Sequence, residues 1–403
     1  MRYTLLAFLC AATVIAYLQR SALGVPSKAI EGELGLTPQD MGVVWLGWYA
    51  GYAAFQLPAG WLADRLGSKP ALVLFAAAWS AVTALVGQAN GFAGLLALWT
   101  LMGATQAGIF PCAAKAIGAT FRPTEQAFAS GWLACGMAGG AALSQDVTGR
   151  LLGPLTWQEI LVVYAAPGVV WAVAFGLLVP RPDGPRPPVS ELLPPAAPVR
   201  WSRLVTDRQM VLLCAQQFQR AAAVALFFTW FPRYLQETKG LTAEESGNLA
   251  AWPLLVGVFG GLIGGTASDW LLKRTGNARL SRQGLAGTAM VVCAGVSLGA
   301  FYAADARTAV FLVSVAAFCG YVGGVSAYAV AMAMGGTRVA PVFATMNMAG
   351  NVGAGLFPFA VGKIVGATGD WNLTLLLFAG LFAGSAVCWA LLNPKGTLFE
   401  EPP

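Results

Sequence analysis

Residues 35–42, GLTPQDMG, return at 240–247 as GLTAEESG, and residues 60–67, GWLADRLG, return at 265–276 as GTASDWLLKRTG. Gly35 and Gly240, Gly42 and Gly247, Gly60 and Gly265, and Asp64 and Asp269 all stand 205 positions apart. One offset shared by two separated motifs marks an internal duplication. Around each motif the chain runs in long apolar stretches, and windows of about 19–20 residues place helices near 4–27, 41–63, 70–88, 92–118, 127–150 and 160–180 in the first half. The second half yields 209–235, 247–272, 284–303, 308–333, 341–366 and 372–392 by the same criterion. The reading is an all-α integral membrane protein of 12 transmembrane helices, in two pseudo-symmetric six-helix bundles.

Composition requires the same solvent. The chain is 57% hydrophobic and 10% charged, with mean hydropathy +0.65, against about 25% charged in soluble domains. A single core of 403 residues cannot hide that much apolar surface, so lipid must cover it. The first stretch, MRYTLLAFLCAATVIAYLQ, has the basic start of a secretory signal. The spans that follow make it the first membrane helix. Most of the 24 Lys and Arg residues fall on the side of the two termini, which the positive-inside rule assigns to the cytoplasm. The domains expected are an N-terminal bundle over 1–180, a proline-rich cytoplasmic linker over 181–208 and a C-terminal bundle over 209–403.

Several functions are excluded early. The net charge of +6 is scattered among apolar segments and forms no nucleic-acid stripe. The chain has no histidine, and its 7 cysteines lie in apolar runs without a CxxC pair. No metal or cofactor is expected. Without a soluble domain, a clustered acid pair or a phosphate-cradling loop, an enzyme or sensor is excluded too.

The stretch GYAAFQLPAGWLADRLGSKPAL at 51–72 resembles the helix 2–3 signature of the major facilitator superfamily, carried here by Gly60, Asp64, Arg65, Gly67 and Lys69. That resemblance implies a gating role for these residues and for Asp269 in the second copy. More narrowly, the chain is similar to the anion:cation symporter branch, which includes bacterial sugar-acid transporters and vesicular glutamate and sialic acid transporters. YLQR in helix 1, IFP at 109–111, FRPTEQAFASG at 121–131, FFTWFPRYL at 227–235 and NMAGNVGAGLFP at 347–358 carry this likeness. It implies that Tyr17, Arg20 and Tyr52 contact an organic anion. Two departures stand out: Gln19 and Gln106 occupy positions where the proton-coupled members carry carboxylates.

The residues themselves point the same way. Arg20 costs about 2.5–3.5 kcal/mol in hydrocarbon even on the mild insertion scales, so it needs a partner. On helical spacing it shares a face with Thr13, Tyr17 and Gly24, and Trp45, Trp48, Tyr49, Tyr52 and Gln56 form a stripe on helix 2. Those aromatics either line a cavity or pack the bundle. In helix 7, Gln216 and Gln217 precede Arg220 on one polar face. Two arginines from opposite halves can close on one anion, each with paired hydrogen bonds. Gln106 is a further candidate, and Asn347 and Asn351 share a face where amides either bind substrate hydroxyls or bridge close-packed helices. Asp146 is the candidate acid within a span.

The expected function is secondary active or facilitative transport of a small organic anion by alternating access: a carboxylate, including sugar acids and dicarboxylates. Uniport or exchange is favoured over strict proton symport, because glutamine does not titrate. Organophosphate exchange and drug efflux are the alternatives. The protein is expected to be a monomer in a bacterial inner membrane.

Overall fold

The computed structural model describes residues 2–180, 204, 206–336, 339–393 and 398. The linker expected over 181–208 falls almost entirely outside them. The described chain is nearly all helix: α1 (Arg2–Arg20), α2 (Ser27–Leu34), α3 (Pro38–Leu66), α4 (Ser68–Val86), α5 (Gly91–Gln106), α6 (Ile109–Thr120), α7 (Pro123–Leu151) and α8 (Trp157–Leu178). Then come α9 (Arg208–Phe228), α10 (Phe231–Lys239), α11 (Ala243–Thr275), a π-helical turn (Arg279–Gly284), α12 (Leu285–Tyr302), α13 (Ala306–Gly335), α14 (Val339–Thr368) and α15 (Leu373–Leu391).

Ten helical stretches are long and apolar enough to cross a bilayer. α3 and α7, at 29 residues each, are long enough as well, but their charged residues, Asp64 and Arg65 or Asp146 and Arg150, lower their hydropathy. These twelve are the expected spans. Large apolar side chains such as Leu57, Val170, Leu177, Phe259 and Phe311 are exposed along them, a surface that only lipid can cover. The chain is a multi-pass membrane protein.

The hydropathy windows suggested twelve unbroken spans, but three of them are interrupted. Helix 1 stops at Arg20, makes short-range turns through Ala22 N–H to Gln19 and Gly24 N–H to Ser21, and resumes as α2 after Pro26. Helix 4 breaks at 107–108 and helix 7 at 229–230. Pro26 closes the first break as the residue before α2, and Pro111 and Pro232 stand in the first turn after the other two; each removes an amide donor and crowds the carbonyl four residues earlier. Pro58 and Pro358 remain inside continuous helices.

The duplicated motif has the same local geometry twice. Gly35 ends α2 at φ 64° and Gly240 ends α10 at φ 65°, in the left-handed region that glycine occupies without strain. Two residues later Thr37 and Thr242 start the next helices with reciprocal caps. Thr37 Oγ1 accepts the Asp40 amide at 3.2 Å while Asp40 accepts the Thr37 amide at 2.9 Å; the Thr242–Glu245 pair shows the same two distances. Each cap stabilises its helix by about 1 kcal/mol. Asp305 caps α13 by accepting the Thr308 amide at 2.8 Å, which holds its carboxyl below the usual range.

Packing divides the chain into two compact units, residues 1–197 with 241–251, and residues 198–240 with 252–403. In the first, α1 lies against α7, α3 against α5 and α4 against α8. In the second, α9 lies against α14, α12 against α15, and α11 against α13 through Gly260 and the Phe318 carbonyl. Each unit repeats the pairings of the other.

Candidate functional site

Arg20 is the last residue of α1, where its charge complements the negative end of the helix dipole. Its guanidinium lies 3.7 Å from the centroid of the Trp48 ring and 5.1 Å from those of Tyr17 and Tyr49, and Nη1 donates to the Tyr17 hydroxyl at 3.2 Å. Trp48 stacks on Tyr52 at 5.0 Å and meets Tyr49 edge-on at 5.1 Å. The helix 2 stripe is therefore the wall around Arg20. Trp48, which the sequence placed in that stripe without a role of its own, makes the closest ring contact.

None of the described carboxylates forms an ion pair with Arg20. A desolvated cation–π contact contributes about 2 kcal/mol, comparable with the lower end of the cost of placing arginine at membrane depth. The rings thus offset much of the charge while offering no acceptor except phenol oxygens to a fork of five N–H donors. The arginine itself is only half-buried.

Gln19 and Gln106 are engaged away from Arg20. Gln19 is fully buried; its Nε2 donates to the Tyr164 carbonyl at 2.6 Å and its Oε1 accepts from Thr83 at 3.4 Å. Gln106 Nε2 donates to the Ala16 carbonyl at 3.0 Å. Both amides fill roles an ionised carboxylate cannot, because they donate to backbone carbonyls. Gln106 is thereby turned to α1 as a helix-to-helix tie. Replacing Gln106 by glutamate should cost about 1–3 kcal/mol of stability, since an oxygen then faces the Ala16 carbonyl. Only the protonated acid can donate there, so the loss should grow as pH rises. Thermal unfolding of the detergent-solubilised variant across pH checks both the size and the sign.

In the second unit Arg220 is buried in α9, with Nε and Nη2 donating to Gln217 Oε1 at 3.3 and 3.2 Å. The guanidinium packs against Gly324 of α13, where a Cβ would fall 3.0 Å from Nη1. Tyr321, one turn earlier on α13, lies within its electrostatic reach. No described carboxylate pairs with Arg220 either. Asn347 and Asn351 are half-buried and continue the α14 face begun by Phe343, whose ring sits 5.2 Å from that of Tyr328 on α13. Neither asparagine side chain is tied up by a hydrogen bond within the described residues.

Gln216 is not brought to Arg220. Its Nε2 donates to the Leu213 carbonyl of its own helix at 3.0 Å, and Ser385 of α15 approaches its backbone oxygen. Both positions flank Arg220 on the helix surface, so the difference is one of side-chain direction: Gln216 turns back onto its own helix while Gln217 reaches the guanidinium. A hollow of about 1020 Å³ along α9, α14 and α15 is lined by Cys214, Phe218, Gln219, Leu377 and Gly384 and has no charged lining residue, so it does not suit an anion.

The remaining candidates lie outside the aromatic box. Asp64 at the end of α3 accepts from Lys115 Nζ at 3.2 Å, and the same ammonium donates to the Ala63 carbonyl at 3.0 Å. Lys115 is the partner that the sequence left unnamed; its place near the end of helix 4, a lone cation in an apolar span, was the available signal. Asp269 pairs with Arg282 at 3.2 Å, Arg65 stacks on Trp61 at 4.3 Å, Gly67 turns at φ 86°, Gly60 faces open space and Lys69 opens α4. Asp64 and Asp269 are largely exposed, so each pair contributes about 0–1 kcal/mol to stability. Asp146 is paired with Arg150 at 3.0 Å and accepts from Asn248 at 3.0 Å.

The model of a family described as the Major Facilitator Superfamily matches residues 9–339. A probable sulfoacetate transporter of Cupriavidus necator is 28% identical over 98% of this chain and 95% of its own. A hexuronate transporter of Bacillus subtilis is 28% identical over 98% and 97%, and a probable galactarate/D-glucarate transporter of Escherichia coli is 27% identical over 96% and 92%. Among solved structures, a bacterial homologue of the human lysosomal transporter Spinster superposes with TM-score 0.76 at 19% identity, covering 97% of this chain and 94% of that one. Fold and relatives are those of transporters, not of enzymes. With a family match over most of its length and the duplicated helical pairings that the structure displays, the chain belongs to the Major Facilitator Superfamily.

Proposed function

We propose that this protein carries a small organic anion across the membrane by alternating access, with Arg20 and Arg220 as its anion-binding groups. The observation that carries the reading is the state of Arg20: a half-buried guanidinium at the end of the first candidate span, held by aromatic rings and one phenol, with no described acid beside it. Such a group demands an anion. Tyr17, Tyr49 and Tyr52 surround the charge with hydroxyls suited to a polar or hydroxylated substrate, while Gln217, Asn347 and Asn351 supply amides in the second unit. Relatives named for sulfoacetate, hexuronate and galactarate/D-glucarate transport support a substrate among sugar acids, dicarboxylates and small sulfonates. The six helices on each side of the linker act as two halves, both termini are cytoplasmic, and the protein works as a monomer in a bacterial inner membrane. Asp64, Arg65, Lys69 and Asp269, with Gly60 inside α3 and the turn at Gly67, gate the cytoplasmic side.

Uptake of labelled sulfoacetate, D-glucuronate and D-glucarate into proteoliposomes, with Arg20→Ala and Arg220→Ala, tests this reading. Inorganic phosphate that outcompetes all three carboxylates and sulfonates would assign the protein to phosphate exchange instead. Coupling is tested separately. Asp146 is already neutralised by Arg150, and both glutamines at the family's acid positions are fixed to backbone carbonyls. Uptake should therefore persist with equal pH on both sides and in Asp146→Asn. Uptake that collapses without a pH gradient and also disappears in Asp146→Asn identifies a proton symporter.

A further inference from the structure

A carrier of one anion must also return its binding groups empty. Loaded, Arg20 has a counterion. Empty, it faces the change of access without a described acid, and Gln19 and Gln106 have no proton to take up or release. What the guanidinium does have is the face of Trp48, 3.7 Å from the ring centroid. The indole is itself held in place. Tyr52 stacks on it nearly parallel at 15°, Tyr49 meets it edge-on at 83°, and Gly103 of α5 presses against its backbone.

An indole face is negative at its centre, so it occupies the place an acid takes in an ion pair. Two differences matter. The ring does not titrate, and it holds a cation less firmly than a carboxylate does, so an arriving anion displaces it. Arg220 is treated similarly: the amide oxygen of Gln217 accepts from two of its nitrogens without bearing charge.

We infer that Trp48 is the stand-in counterion of Arg20. It holds the guanidinium while the carrier is empty and yields it to the anion, so net transport runs without a proton and without an exchanged anion. This rests on the anion-transport reading above. Trp48 acts through Arg20 and is a positioning residue.

The test compares two rates in proteoliposomes, with potassium and valinomycin clamping the membrane potential. Net uptake of labelled sulfoacetate and D-glucuronate is measured into empty vesicles, and exchange into vesicles preloaded with the same unlabelled compound. The ratio of net uptake to exchange reports the empty return step and does not depend on how much protein folded. Trp48→Leu, which removes the π-face, should lower that ratio about tenfold, while Trp48→Phe, which keeps a smaller one, should hold it within about threefold. A leucine variant with an unchanged ratio overturns the inference. So does a phenylalanine variant that falls as far as leucine, which assigns the effect to volume. An unsubstituted protein that exchanges either probe but shows no net uptake is an obligate exchanger, and this inference alone is lost. If it exchanges neither probe, the functional reading falls first.

Discussion

Arg20→Ala should lower the kcat/KM of anion uptake at least about a hundredfold, and Arg20→Lys should recover only a small part of it. Charge-assisted hydrogen bonds contribute about 1.5–3 kcal/mol each, and a guanidinium makes two in parallel to one carboxylate or sulfonate. Two such bonds amount to about 3–6 kcal/mol, or between a hundredfold and ten-thousandfold in affinity. Lysine restores the charge but presents a point and not a fork, and it stacks less well on Trp48. The alanine variant relieves the cost of a cation at membrane depth, so it should fold at least as well as the parent. That separates loss of transport from loss of protein. A well-folded Arg20→Ala protein that still takes up sugar acids or sulfoacetate at near-parental rates removes the anion assignment, although the fold is untouched by that result.

The parts of this molecule that were legible in sequence are those governed by local rules. Hydropathy places twelve spans because a bilayer admits little else. The 205-residue offset found the repeated turns at Gly35 and Gly240 because a left-handed glycine and a Thr cap are written in adjacent residues. Arg20 and its stripe were legible because charge at membrane depth is costly and helix 2 repeats every three to four residues. What escaped depends on how helices meet. The breaks in helices 1, 4 and 7 lie inside apolar windows, so hydropathy alone runs through them, and a proline can bend a helix or end it according to its neighbours. Gln19, Gln106 and Gln216 have the same chemistry. Their partners, the carbonyls of Tyr164, Ala16 and Leu213, belong to the backbone and leave no mark in residue type. Lys115 is 51 residues from Asp64, and only the packing of α3 near α6 shows that they pair.

The second large effect is expected where no polar group is involved. Gly51 of α3 and Gly103 of α5 face each other's helices: a Cβ on Gly51 would fall 2.1 Å from the Thr100 carbonyl oxygen, and one on Gly103 2.0 Å from that of Trp48. Both obstacles are backbone, which cannot rotate aside. Gly103→Ala must therefore push α3 and α5 apart, at a cost of about 3 kcal/mol or more, the upper end of overpacking penalties. The dispersion contacts along the rest of the seam weaken with the separation, and in lipid these are much of what holds two helices together. Gly60→Ala, on α3 and away from the α3–α5 seam, is the control. Nothing lies within 4 Å of its Cβ position, and alanine is the better helix former by roughly 0.5–1 kcal/mol. Thermal unfolding in detergent should give a much lower midpoint for Gly103→Ala and an equal or higher one for Gly60→Ala. Equal midpoints for the two would mean that α3 and α5 are not in backbone contact. The consequence reaches the anion site, because the carbonyl that Gly103 makes room for belongs to Trp48. Any Gly103→Ala protein that survives should lose net uptake more than exchange, as displacing the ring from Arg20 requires.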